Sequence, residues 1–321
     1  MIDWTDRHCR YFHRQLSGRA LLYTEMVVAD AIIHGHRDRL LAFDPSQHPV
    51  ALQLGGSDPH KLSEAVKIAA GYGYDEINLN VGCPSDRVQS GTFGACLMRT
   101  PDVVARCVAA MRAAADVPVT VKCRIGVDDQ APETVLPDFL ARMVGAGAQA
   151  IWIHARKAWL QGLSPKENRD IPPLDYALVH AMKRENPDVF LGINGGIDSL
   201  AAAAEHLEVV DGVMLGRAAY HNATLLCGVD AKIFGASDVP PDWDAVCDAM
   251  MVYAAAHIAS GGRLIHVTRH MVGLFQGFSG ARRFRQILST DATRPGAGPE
   301  VIAAAFAAVD IVAGPKALAV A

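Results

Sequence analysis

The 321-residue chain is half apolar with a mean hydropathy of +0.15, enough for one large core or a large domain with a small companion. Thirty Lys and Arg against 34 Asp and Glu leave a net charge of −4, which excludes indiscriminate coating of nucleic acid but permits local basic faces. The seven cysteines are odd in number and form no Cys-x-x-Cys pair, which excludes a disulfide framework and the usual zinc or iron–sulfur spacings; no metal site is expected.

No apolar run reaches transmembrane length, and an N-terminus with Asp3, Trp4 and Asp6 does not read as a signal peptide. The expectation is a soluble cytoplasmic protein. Short apolar runs at 21–26, 50–54, 77–81, 117–123, 150–154, 189–193 and 212–215 predict strands. Helical patterns separate them, opened by Ser57-Asp58-Pro59, Thr100-Pro101-Asp102 and Asp198-Ser199, which place a cap or a proline where free N–H groups need it.

This alternation predicts a parallel sheet with helices outside. Polar residues or glycine end the strands: Glu25, Gln53, Asn80, Lys122, His154, Asn194 and Gly216. Polar groups gathered at strand C-termini are the pattern of a (β/α)8 TIM barrel, whose sites lie on that face. A doubly wound sheet is the rival, but no Gly-x-Gly-x-x-Gly turn supports it. Seven strands are visible; the first of eight would precede residue 21, and the barrel is expected to be open or truncated there.

After Pro240-Pro241 the pattern turns helical, at 245–260, 264–275, 281–288 and in an Ala-rich tail from Pro299. The predicted organisation is a barrel over 1–238 and a small all-helical domain over 239–321.

Several motifs carry chemistry. Asn194-Gly195-Gly196 and Gly216-Arg217 follow the last two strands, where barrels bind phosphate through unobstructed glycine N–H groups and a nearby cation. Gln53, Lys122 and His154 end strands and together suit the polar edge of a flavin, the lysine stabilising negative charge on the reduced ring. Singly, each has a plainer explanation, such as a satisfied structural histidine or a Lys122–Glu25 pair. Cys83 sits in a Gly-Cys-Pro turn ahead of the glycine-rich, mobile segment Ser90-Gly91-Thr92-Phe93-Gly94, which predicts an exposed thiol able to act as a proton donor. Cys107 and Cys123 lie in apolar patterns and read as buried.

His266 and His270 are four apart but lack a zinc-hydrolase glutamate, leaving a structural or RNA-facing surface. Residues 261–290 hold five arginines, among them Arg282 and Arg285 on one helix face, and no carboxylate. A second basic stretch, from Arg156-Lys157-Ala158-Trp159 to Lys166-Glu167-Asn168-Arg169, carries an aromatic. Such segments suit phosphate contact and base stacking, so RNA is the expected partner.

These residues resemble a known family. Asn78-Leu79-Asn80-Val81-Gly82-Cys83-Pro84-Ser85, His154-Ala155-Arg156-Lys157-Ala158-Trp159, Asn194-Gly195-Gly196 and Arg269-His270-Met271 are similar to stretches of the tRNA-dihydrouridine synthases. Leu163-Ser164-Pro165-Lys166-Glu167-Asn168-Arg169 and Gly280-Ala281-Arg282 resemble the A type, associated with uridines 20 and 20a of the D loop.

The resemblance implies an FMN-containing barrel, a helical tRNA-binding domain and NADPH as reductant. It implies hydride transfer from flavin N5 to uracil C6, with Cys83 protonating C5. Met1, Gln53, Lys122, His154, Asn194, Gly195, Gly196, Gly216 and Arg217 match cofactor positions, and Asn80 a position near the substrate base. Lys166, Asn168, Arg169, Arg282 and Arg285 match tRNA contacts, and a monomer is expected. The family's first strand ends in Ala-Pro-Met, whereas this chain begins at the matching Met1. The expectation is an upstream natural start, with lower stability and poor FMN binding in this form. The rival readings are a flavin barrel reducing a small molecule, like dihydroorotate dehydrogenase, and an inactive barrel serving as an RNA-binding module.

Overall fold

Seven parallel strands form one sheet in chain order: β1 Leu22–Val28, β2 Val50–Gly55, β3 Glu76–Val81, β4 Val119–Arg124, β5 Ala150–His154, β6 Leu191–Asn194 and β7 Gly212–Met214. The computed structural model describes residues 1–84 and 93–314. Parallel neighbours need a crossover, and helices such as Pro59–Ala70, Pro101–Ala114, Pro132–Gly145 and Tyr176–Glu185 supply it. Their starts are written locally. Asp58 accepts from the His60 and Lys61 amides at 2.8 and 3.1 Å, Asp175 accepts from Leu178 N at 2.9 Å, and prolines stand first in three of these helices.

This is the α/β architecture of the TIM-barrel type that the alternation predicts, and the chain also contains a helical region. Among the described residues β1 pairs with β2 alone and β7 with β6 alone.

Strand period two sorts the side chains. Val50, Leu52, Leu54, Ile77, Leu79, Val81, Val119, Val121, Cys123, Ile151 and Ile153 line one buried, apolar face. Gln53, Glu76, Asn78, Asn80, Thr120, Lys122, Arg124, His154 and Asn194 share the other. The register sets Gln53 beside Asn78, Asn78 beside Thr120, Asn80 beside Lys122 and Arg124 beside His154. Polar residues are therefore massed on one face of the sheet, from Glu76 and Thr120 at the strand starts to Lys122, Arg124, His154 and Asn194 at the strand ends.

The sheet unit comprises Met1, Leu21–Ile197 and Ala201–Leu215. A second unit comprises Ile2–Ala20, Asp198–Leu200 and the chain from Gly216, so it draws in segments besides 239–321. Its core is aromatic: Phe275, Phe284 and Phe306 meet edge to face at 5.1–5.6 Å between centroids, with Leu288 and Ile302 buried among them.

The helices Trp243–Ala259, Ala281–Thr290 and Glu300–Phe306 match the predicted segments. The one expected over 264–275 ends at Thr268. Beyond it, His270 is fully buried, bonding Asp6 at 3.0 Å and the Tyr220 hydroxyl at 3.1 Å. A Cβ at Gly273 would lie 2.5 Å from the Tyr220 carbonyl. Tertiary hydrogen bonds and that close backbone approach override the helical pattern. His270 is accordingly a structural residue rather than an exposed one.

Candidate active site

Cys83 stands one turn beyond β3, half-buried, and Asn80 shapes that turn: its Oδ1 accepts from Gly82 N and Cys83 N, each at 3.0 Å. Asn80 Nδ2 donates to Gln53 Oε1 at 2.7 Å, and Gln53 Nε2 donates to Asn78 Oδ1 at 2.9 Å. Asn78 Nδ2 donates to Thr120 Oγ1 at 2.8 Å, and the Thr120 hydroxyl donates to Glu76 Oε1 at 2.7 Å. The Tyr23 hydroxyl donates to the same carboxylate oxygen. Five buried side chains thus form one chain of hydrogen bonds from the cysteine turn to Glu76, at the opposite end of β3. Burial pushes the Glu76 carboxyl up, opposed by the Tyr23 and Thr120 hydroxyls.

Beside this chain, Lys122 Nζ donates to Asn194 Oδ1 at 3.1 Å rather than pairing with Glu25, and Asn194 Nδ2 donates to the Met214 carbonyl at 2.6 Å. Burial and the neighbouring Arg124 lower the Lys122 ammonium to about 8. His154 is buried at the end of β5, next to Asn194 in register.

The turn after β6 can pack closely against its neighbours because it lacks side chains. Gly195 and Gly196 have φ of +115° and +72°, and Cβ atoms there would stand 3.0 Å from the His154 ring and 2.8 Å from the Tyr176 hydroxyl. An ammonium, an amide, an imidazole and a glycine cradle fit a flat anionic group with a polar edge and a phosphate. Gly216 and Arg217 open the helix Arg217–His221 in the second unit, and Met1 belongs to the first.

Sequence reasoning passed over Arg124, which is buried two residues beyond Lys122. Its Nε donates to the Gly82 carbonyl at 3.1 Å; its Nη1 donates to the Lys157 and Asn168 carbonyls at 3.0 and 2.9 Å. The period-two signal that singled out Lys122 also marks Arg124 and Thr120, since all three share a strand face. Ser85 and Ser90-Gly91-Thr92 of the predicted mobile segment lie outside the described residues; Phe93, which follows, is buried.

The basic loop after β5 divides into scaffold and surface. Asn168, expected at the RNA, has no exposed surface. Its Oδ1 accepts from Trp159 N at 2.7 Å and its Nδ2 donates to Trp159 O at 2.8 Å. Lys166 and Arg169 are exposed, as is the Trp159 ring, with Lys157 Nζ 5.5 Å from its centroid. Asp128 pins the same loop, accepting from Leu160 N at 2.7 Å and pairing with Arg99 at 2.6 Å.

In the second unit Arg282 and Arg285 are exposed on the helix Ala281–Thr290, whose other face buries Phe284, Ile287 and Leu288. Among the described residues no three His, Cys, Asp or Glu gather as metal ligands, and no helix is long and apolar enough to cross a membrane.

Residues 1–309 match the family described as Dihydrouridine synthase (Dus). The chain is 56% identical over 310 residues to a tRNA-dihydrouridine(20/20a) synthase of Vibrio cholerae, covering 96% of this chain and 94% of that protein. It is 57% identical over 303 residues to the enzyme of that name from Escherichia coli K12, covering 94% and 88%. A Shewanella oneidensis protein of the same name is 55% identical over 315 residues, covering 98% and 94%. A strand-end constellation with a cysteine at its rim thus accompanies identity along nearly the whole sequence, and the chain belongs to the dihydrouridine synthase family, enzymes that reduce uridine.

Proposed function

We propose that this chain is a cytoplasmic, monomeric tRNA-dihydrouridine synthase acting at uridines 20 and 20a of the D loop, with FMN as cofactor and NADPH as reductant. The observation that carries the reading is the union of Lys122, Gln53, Asn80, His154 and Asn194 on one sheet face with the half-buried thiol of Cys83 at its rim.

Gln53, Lys122 and His154 would hold the flavin ring, and Asn194-Gly195-Gly196 with Gly216 and Arg217 its phosphate; Met1 completes that set. When bound, the flavin supplies the hydride for uracil C6. Asn80 orients the base while holding the turn, and Cys83 delivers the proton to C5 and recovers it from solvent. Lys122 carries positive charge where negative charge accumulates on the ring.

Lys166, Arg169, Arg282 and Arg285 would grip tRNA phosphates, with residues 239–321 as the RNA-gripping domain, and Trp159 offers a stacking surface. Asn168 contributes by keeping the loop in shape. An RNA grip is useful because the target base must leave its stack to be reduced. The test is reduction of tRNA from a strain unable to make dihydrouridine, followed by mapping of the modified positions. Dihydrouridine at 20 and 20a is expected; unmodified tRNA after full turnover conditions would overturn the reading.

A further inference from the structure

The chain of hydrogen bonds behind Cys83 runs in one direction. At its upper end the Gly82 and Cys83 N–H groups can only donate, so Asn80 must present its oxygen to them. Asn80 then has only its NH2 for Gln53, Gln53 only its NH2 for Asn78, and Asn78 only its NH2 for Thr120. At the lower end the Thr120 hydroxyl gives its single proton to Glu76, which also takes the Tyr23 proton. Two independent ends, a pair of backbone donors and a carboxylate acceptor, demand the same orientation of every amide between them. Such chains are also mutually polarising, and a fully satisfied one is stiff.

We propose that Glu76 is a positioning residue for the reaction, anchoring from the far end of β3 the direction in which Asn78, Gln53 and Asn80 present their amides and thereby stiffening the Cys83 turn. This rests on the proposed function, because Gln53 and Asn80 are the side chains assigned there to cofactor and base. Replacing the acceptor with an apolar group frees the Thr120 hydroxyl to donate upward. Asn78, Gln53 and Asn80 are then held in their orientation from the Gly82 and Cys83 end alone, and the cysteine turn is fixed less firmly.

The experiment compares Glu76→Leu, Glu76→Gln, Thr120→Val and the Leu/Val double variant in the full chain. Amide hydrogen exchange at Gly82 and Cys83 and single-turnover reduction of unmodified tRNA are read in parallel. Thr120→Val is nearly isosteric and keeps the sheet, so the test does not depend on the folding of Glu76→Leu.

Glu76→Leu and Thr120→Val are expected to speed exchange at both amides by about tenfold, the scale of one hydrogen bond. Reduction should slow by about 10- to 100-fold with KM for tRNA unchanged. The double variant should be no worse than either single one, and Glu76→Gln, which keeps an acceptor oxygen, should stay within about threefold of wild type. Unchanged exchange in Thr120→Val, additive effects, or loss in Glu76→Gln equal to that in Glu76→Leu would each overturn the proposal. Wild-type protein that leaves tRNA unreduced would defeat the functional reading, while exchange would still judge the relay.

Discussion

Arg124 Nε donates to the Gly82 carbonyl at 3.1 Å, so the turn bearing Cys83 hangs from a guanidinium on the neighbouring strand. The Nη1 of that guanidinium serves the Lys157 and Asn168 carbonyls, tying the cysteine turn to the basic loop after β5. A lysine has three N–H donors but only one nitrogen, and lacks the guanidinium fork that serves these carbonyls from both Nε and Nη1. Arg124→Lys is expected to cost about 2–4 kcal/mol of stability, because buried carbonyls are left without donors. Urea denaturation with and without the substitution measures it, and an equally stable variant would show that the clamp is dispensable.

Cys83→Ala removes only the proposed proton donor. Flavin content and NADPH oxidation should match wild type, while tRNA reduction falls by about 10²- to 10⁴-fold, the usual contribution of a positioned acid. Stopped-flow traces of the two half-reactions separate these effects. A variant slow in both would place the cysteine in cofactor binding instead.

Lys122 introduces a pH dependence whose sign follows from its lowered value of about 8. In the unfolded chain a lysine holds its proton up to about 10.4, so between the two values the unfolded state binds more protons and stability rises with pH. Flavin affinity is expected to move the opposite way, since the charged lysine is the form proposed to bind, and should weaken as pH climbs through about 8. Titrations of flavin binding and of denaturation midpoint between about pH 7 and 10.4 should show both trends, and Lys122→Met should abolish both. A flat flavin affinity across that window would contradict the charged role.

In the second unit, burial opposes ionisation of Asp6, but bonds to His270 and to Arg269 at 2.5 Å hold its carboxyl well below the ordinary range. Its stabilising contribution is present above the unfolded value near 3.9 and is lost as pH falls toward the folded one. Asp6→Asn should therefore lower stability at neutral pH and narrow the gap from wild type in strong acid. Denaturation curves at several acidic pH values test this.

Loss of one phosphate contact lowers the slope of log affinity against log salt by about 1. Lys166→Ala, Arg169→Ala, Arg282→Ala and Arg285→Ala should each do so with tRNA. Trp159→Ala should weaken binding by about 1–3 kcal/mol, the worth of a base stack, and leave the slope alone. Asn168→Ala should loosen the loop, seen as faster exchange at the Trp159 amide, because its side chain bonds both sides of that residue. Filter binding across a salt series distinguishes the three behaviours.

The strands, most helices and the polar strand ends were legible in the sequence because period two, period 3.6 and capping are local signals. Asp58-Pro59 announces its helix, and Cys83 stands out in a turn of Gly and Pro. What a residue's chemistry meets across the sheet is a matter of register and partners. Asn168 reads as one more polar residue of a basic loop, yet the fold buries it. Residues 264–275 read as one helix, yet His270 is drawn to Asp6, 264 positions away.

The Asn-Leu-Asn-Val-Gly-Cys-Pro stretch by itself determined that a thiol follows a strand of alternating amides. Only the tertiary structure decided that Gln53 and Thr120, from flanking strands, join those amides into a single chain ending at Glu76. The reason is that hydrogen-bond direction is a property of a whole connected set, and its members are separated by up to 67 positions between Gln53 and Thr120.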